Sequence, residues 1–110
     1  MKTIKIATEY SQTPLGRYAA DGEFNGTRFR EEFLKPALQT DPPVEVDIDG
    51  TEGYGSSFLE EAFGGLVREG YFKSDDLKDK LKIRSADPDF DFYRALIWKY
   101  IKEAKPKKAV

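Results

Sequence analysis

The sequence predicts an α/β fold, a single small sheet of about four strands with helices packed against it. Two observations carry that prediction. Short runs with apolar residues at every second position alternate along the chain with longer runs that repeat every three to four residues. Gly, Pro and Asp-Gly punctuation separates the runs, and no internal repeat or low-complexity segment interrupts them.

The first run, K-T-I-K-I-A-T, sets Ile4 and Ile6 against polar Thr3 and Lys5 and reads as a strand with one buried face. S-Q-T-P-L-G-R-Y-A-A-D-G mixes breakers with a possible second strand from Arg17 to Ala20, closed by Asp21-Gly22. A helix capped by Thr27 follows, with Phe29, Phe33, Leu34, Ala37 and Leu38 on one face. Pro36 inside that pattern predicts a kink or break, with Lys35 off ideal helical angles. After the rigid Asp41-Pro42-Pro43 turn, V-E-V-D-I-D is the clearest strand, with Val44, Val46 and Ile48 on one face and Glu45, Asp47 and Asp49 on the other. A helix from about Phe58 to Glu69, ended by Gly70, carries the stripe Phe58 or Leu59, Ala62, Phe63, Leu66 and Val67. Ser74 caps a short helix, L-K-I-R-S is a further strand, and Asp87-Pro88 opens a last helix with Phe92 or Tyr93, Leu96, Ile97, Tyr100 and Ile101 on its apolar face. Residues 1–104 make one domain, and 105–110 a basic tail.

Composition narrows the function. The chain has 110 residues, 39 % of them hydrophobic and 35 % charged, with a net charge of −2. That balance gives no electrostatic footprint for nucleic acid or anionic lipid. Lys105, Lys107 and Lys108 beside Pro106 read as a frayed solubilising end. There is no cysteine and no histidine, which removes thiolate chemistry, the commonest general base and the commonest transition-metal ligand. No signal-peptide core and no apolar run of about 18 residues is present, so the expectation is a cytoplasmic protein. These absences weigh against a catalyst, and no cofactor is implied.

The chemistry-bearing stretch is G-T-E-G-Y-G-S-S, between the clearest strand and the helix that follows. It begins like a phosphate-binding loop, but Ser56 stands where such a loop needs lysine, and Glu52, Glu60 and Glu61 are close in sequence. G-Y-G-S-S-F also lacks the third glycine of a dinucleotide fingerprint. Asp47, Asp49 and Glu52 are suitable oxygen ligands for Mg²⁺, but a polar strand end with acids near a turn is the favoured reading. Ser57 and Glu60 have capping-box spacing, a cap alone contributing about 1 kcal/mol. A hydroxyl at a helix N-terminus is also a place where an added phosphate is favoured.

G-T-R-F-R-E-E-F-L-K-P-A-L, Gly26 to Leu38, and V-D-I-D-G-T-E-G-Y-G-S-S-F-L-E-E-A-F-G-G-L-V-R, Val46 to Arg68, resemble two segments of a bacterial STAS-like family of unknown function. The strand, glycine-serine turn and helix are similar to the STAS domain of anti-sigma-factor antagonists and sulfate-transporter tails. The resemblance spans roughly residues 1–84. In the antagonists the turn reads aspartate-serine-serine-glycine, and a partner kinase phosphorylates the second serine. The resemblance carries that role to Ser57, with Ser56 before it, while Gly55 replaces the aspartate and Phe58 the glycine. The segment after Asp87 has no counterpart in it.

The resemblance therefore implies a non-enzymatic regulatory module switched at Ser57 or Ser56. Its protein partner would be a histidine-kinase-like ATPase or a related regulator, engaged through Gly53, Tyr54, Gly55, Phe58 and Glu61. Tyr54 and Phe58 are its expected aromatic anchors, with core burial as the competing assignment. Two alternatives stand beside it. One is a nucleotide or small-anion site on the same loop, with Arg17, Arg28 and Arg30 as the cations if the fold brings them there. The other is a prophage or defence accessory that blocks a host complex.

Overall fold

The computed structural model describes residues 2–107; Met1 and residues 108–110, with Lys108 of the basic tail, lie outside them. Three strands, β1 (Lys2–Lys5), β2 (Val44–Asp47) and β3 (Leu81–Arg84), form a parallel sheet in chain order. Ile4, Val46 and Ile83 share one level of the register, and all three are buried. The levels on either side carry Thr3, Glu45 and Lys82, then Lys5, Asp47 and Arg84. Polar and apolar residues therefore alternate on β2 and β3, and on β1 from Thr3 onward. Right-handed crossovers between neighbours in the order 1-2-3 put the connecting helices on one face, which leaves the charged face to solvent. That is why these parallel strands alternate instead of reading as continuous apolar runs.

The first crossover helix, α1 (residues 26–40), runs from Gly26–Phe29 through a π turn at Arg30–Leu34 into Lys35–Thr40. Asn25 caps it, its side-chain oxygen accepting the Arg28 N–H at 2.9 Å. Thr27, the expected cap, lies inside the helix. Its hydroxyl is spent on Glu61, and Asn25 already holds the extended backbone a cap needs. Lys35 keeps helical angles (φ −58°, ψ −50°), where the sequence put it off them. Its N–H donates to Arg30 O five residues back, so the ladder is already widened ahead of the Pro36 ring. Phe29, Leu34, Ala37 and Leu38 face the core.

The second crossover contains α2 (residues 56–68), built from Ser56–Leu59, a π turn at Glu60–Gly64, and Gly65–Arg68. Its apolar stripe is fully inward: Phe58, Leu59, Ala62, Phe63, Leu66 and Val67 are all buried. Gly70, at φ 80°, ends it, and the Tyr71 and Phe72 N–H groups return to Leu66 O. Next comes α3 (Ser74–Lys80), in which Ser74 is the first helical residue and Lys73 the cap position, so Ser74 is not the cap the sequence suggested. Asp87 caps the short 3₁₀ turn Pro88–Phe90, which leads into α4 (Asp91–Glu103). Ile97 and Ile101 of α4 are buried and Phe92 faces solvent.

The two crossover helices meet at Gly26, where a Cβ would lie 2.8 Å from Phe58 O and 3.1 Å from Ala62 N. This approach seats a cluster of rings from Tyr10, Phe29, Phe58 and Phe63, with adjacent centroids 5.0–6.4 Å apart. Tyr10 belongs to a π turn (Ile6–Tyr10) that follows β1 and donates its hydroxyl to Asn25 O at 2.7 Å. Burial pushes that hydroxyl up to about 12. Residues 17–20 form no strand: Ala19–Asp21 is a 3₁₀ turn and Tyr18 is exposed. The tail is not simply frayed at Lys107, whose N–H reaches Arg68 O at 2.8 Å and whose ammonium lies 2.7 Å from Glu69. Among the described residues no helix is long and apolar enough to cross a membrane.

Candidate functional site

The turn between β2 and α2 divides its side chains between core and solvent. Gly50 and Gly53 take positive φ, 89° and 119°, where a side chain is strained. A Cβ on Gly53 would also lie 2.9 Å from the Tyr93 hydroxyl. The sharp reversal sends Tyr54 inward, its hydroxyl donating to Ile48 O at 2.7 Å and its ring 5.2 Å from Tyr93. Burial holds the Tyr54 hydroxyl well above the ordinary tyrosine range. Gly55, extended at φ −77°, ψ 150°, then presents Ser56 and Ser57 to solvent before Phe58 turns into the core.

Several expected roles change accordingly. Tyr54 and Phe58 are buried, so their rings are core residues rather than exposed anchors. Ser57 does not close a capping box. Gly55 occupies the cap position, and the Glu60 carboxylate is drawn away to Arg17 and Arg68. Among the described residues neither serine hydroxyl has a hydrogen-bond partner, and both are exposed. The acids at the strand end bind backbone and hydroxyl groups. Asp47 accepts the Asp49 N–H at 2.9 Å, and Asp49 accepts Ser85 Oγ at 2.9 Å and the Ala86 N–H at 2.6 Å.

The surface beside the serines comes from a loop whose role the sequence did not disclose. Leu15, Gly16, Arg17, Tyr18 and Asp21 join Gly55, Ser56 and Ser57 around an open depression of about 630 Å³. Leu15 and Tyr18 are 61 % and 56 % exposed on this surface. The backbone presenting them is held at many points. Leu15 N–H donates to Phe24 O at 3.0 Å, Gly26 N–H to Gly16 O at 2.9 Å and Thr27 N–H to Arg17 O at 3.0 Å. Asp21 accepts the Arg17 and Tyr18 N–H groups at 3.0 and 3.2 Å. The Glu52 N–H, from the serine turn itself, donates to Gln12 O at 2.8 Å. Two exposed apolar side chains thus stand on an ordered loop fastened to the turn.

Behind this surface runs a chain of charges linking the loop, α2 and α1. Arg17 pairs with Glu60, whose second oxygen takes Arg68. The buried Glu61 carboxylate accepts Arg30 Nη1 at 2.8 Å, Arg68 Nη2 at 3.0 Å and Thr27 Oγ1 at 3.2 Å, with Arg17 at 3.5 Å. Arg30, equally buried, also donates to Glu61 O at 2.6 Å and to Glu31 at 2.9 Å. Burial pushes Glu61 up, but the Arg30 hydrogen bond and the Arg68 and Arg30 charges outweigh it and hold the carboxyl below its usual range. Glu31 is lowered in the same way, burial being outweighed by Arg30 and Tyr71. Glu61 is therefore a structural counter-ion and is not available to a partner. Of the three arginines proposed for an anion site, Arg17 lines the depression, Arg30 is locked in the interior, and Arg28 caps the outer face of α1 with Glu32 at 3.3 Å.

A family model described as a STAS-like domain of unknown function matches residues 25–91. The match takes in α1, β2, the serine turn, α2 and β3, and stops at the first residue of α4. No curated protein and no solved structure matches the chain.

Proposed function

Because the chain belongs to this family of STAS-like domains of unknown function, we propose that it is a non-enzymatic regulatory module. It binds a protein partner through the loop at 15–21 and the first turn of α2, and is switched by phosphorylation of Ser57 or, second, Ser56. One observation supports this most: two unpaired hydroxyls share a single open depression with exposed Leu15 and Tyr18 on a hydrogen-bonded loop. Pre-ordered apolar side chains cost little entropy when a partner covers them. A phosphate on either serine brings about −1.5 to −2 charges into the depression that those side chains line. The partner class is a histidine-kinase-like ATPase or related regulator, which the resemblance of the turn to anti-sigma-factor antagonists suggests.

An anion or nucleotide site is less well supported, because of the three arginines only Arg17 lines the depression, and the Asp21 carboxylate lines it too. Partner capture from the native host tests the proposal, using wild type, Leu15→Asp and Ser57→Asp proteins of equal thermal stability. The expected result is one specific partner retained by wild type and lost by both variants. Capture that is indifferent to both substitutions, or no specific partner at all, overturns the reading.

A further inference from the structure

We infer that Arg17 is a transferable counter-ion, passing from Glu60 to a phosphoryl group on Ser57 while the rest of the charge network stays intact. The inference rests on the proposed phosphorylation of Ser57 and adds the residue that receives it. Ser57 and Glu60 stand three residues apart on α2, one turn along the same helix face. Arg17 Nη1 is bound to Glu60, and Arg17 lines the depression that Ser57 also lines. A phosphate at Ser57 is thus placed beside the acceptor Arg17 already uses, repels that acceptor, and offers the guanidinium a fork of oxygens with more charge.

The network can release Arg17 without leaving a bare charge. Glu60 keeps Arg68, and Glu61 keeps Arg30 and Arg68. Arg17 is also the most exposed of these three arginines, 36 % against 25 % for Arg68 and 5 % for Arg30. Its backbone is fixed at both ends, through Thr27 N–H to Arg17 O and Arg17 N–H to Asp21. Only the side chain therefore needs to move, and Leu15 and Tyr18 stay where they are. Phosphorylation then replaces one neutral hydroxyl with a phosphate–guanidinium pair in the depression that Leu15 and Tyr18 also line. The phosphoryl donor is a nucleoside triphosphate on a partner kinase. The Ser57 Oγ–P bond forms as the bond from the terminal phosphorus to the bridging oxygen breaks, the nucleoside diphosphate leaves, and the hydroxyl proton passes to the kinase.

Phosphoserine introduced site-specifically at position 57 during translation tests this without any kinase or partner. The ³¹P NMR titration of its second ionisation, about 6 in the absence of neighbours, is compared in the Arg17, Arg17→Gln and Glu60→Gln backgrounds. Asp21 also lines the depression, and its carboxylate is common to all three. Arg17→Gln is expected to raise the phosphoserine value by about 0.7 unit, the bulk-water effect of one unit charge at about 4 Å. Glu60→Gln, which removes the competing acceptor, is expected to lower it. Titrations that coincide in the Arg17 and Arg17→Gln proteins, or a Glu60→Gln protein unchanged from its parent, overturn the transfer. Because the phosphate is installed by translation, either result is independent of whether a partner is captured, so failure here and failure of the interaction reading are separate outcomes.

Discussion

The buried pair Arg30–Glu61 should be among the most sensitive points of the fold, and truncating one member should be far worse than replacing both. Glu61 and Arg30 are 3 % and 4 % exposed, and each makes several bonds to the other and to its neighbours. Glu61→Ala removes the acceptor of Arg30, Arg68 and Thr27 at once and leaves a desolvated guanidinium. Breaking a buried pair in this way costs about 3–5 kcal/mol. Here Arg30 keeps Glu31 and the Glu61 carbonyl, so the lower end, about 3 kcal/mol, is expected. In a domain whose total stability is of order 5–15 kcal/mol that is a large fraction, equivalent to a fall in Tm of roughly 12–18 °C. Arg30→Met should cost less, because Glu61 keeps Arg68 and Thr27, while the double variant Arg30→Met/Glu61→Leu should recover most of the loss of the single variants. Urea unfolding at pH 7 of wild type, Arg30→Met, Glu61→Leu and the double variant gives the coupling energy directly. The pH dependence supplies a second measurement. The folded-state value of Glu61 lies below its unfolded value, so its stabilisation is complete above the ordinary glutamate range and is lost as pH falls through the depressed value. The acid limb of the stability profile should therefore be shallower in Glu61→Gln. Single substitutions costing less than about 1 kcal/mol, or a coupling near zero, would refute the view that this pair joins the two helices.

Gly26→Ala should destabilise by about 2–3 kcal/mol, because its Cβ would meet the Phe58 and Ala62 backbone rather than a movable side chain. Differential scanning calorimetry would show it as a lower Tm with an unchanged far-UV spectrum. Asn25→Ala should cost about 1–2 kcal/mol, since it loses both the cap bond to Arg28 N–H and the bond to Gly22 O. Ser56→Ala and Ser57→Ala should each leave stability within about 0.5 kcal/mol of wild type in urea melts, because both serines are solvent-exposed and neither caps the helix. A loss of about 1 kcal/mol for Ser57→Ala would restore the capping box and contradict the geometry found.

The parts of the fold that periodicity encodes were readable in advance. The stripe of α2 and the alternation of Val44, Val46 and Ile48 follow from residues that must choose between core and solvent, and every one of them is buried. The family itself was visible in the two long motifs, which the family match encloses. What sequence could not supply is competition between partners distant in the chain. Capping-box spacing predicted Glu60 back toward Ser57, but Arg17, 43 residues away, and Arg68 both claim its carboxylate. The π turns were equally hidden, since a shift from fourth- to fifth-residue hydrogen bonding leaves no compositional mark. Arg17 to Ala20 read as a possible strand because Asp21-Gly22 closes it as a hairpin turn would. The Asp21 carboxylate instead captures the Arg17 and Tyr18 N–H groups and curls the segment outward.

The density of glycine at the serine turn now has a cause that also bears on the serines. Three of its features would ordinarily signal a ligand-cradling loop: closeness of glycines, a strand before and a helix after. Each is used here for another purpose. Gly50 and Gly53 supply the positive φ that lets the chain double back. The reversal aims Tyr54 at Ile48 O and seals the end of β2 with a ring that stacks on Phe58. Once Tyr54 and Phe58 both point inward, the three residues between them must span the gap on the outside, and those residues are Gly55, Ser56 and Ser57. Their exposure thus follows from the burial of their neighbours, whether or not anything binds there. Local geometry accounts for the exposed hydroxyls, so a binding role shows in what surrounds them. Leu15 and Tyr18, left apolar and exposed on a loop held by hydrogen bonds, are not required by the turn. Neither is the arginine between them, bound to the acid one helical turn beyond Ser57.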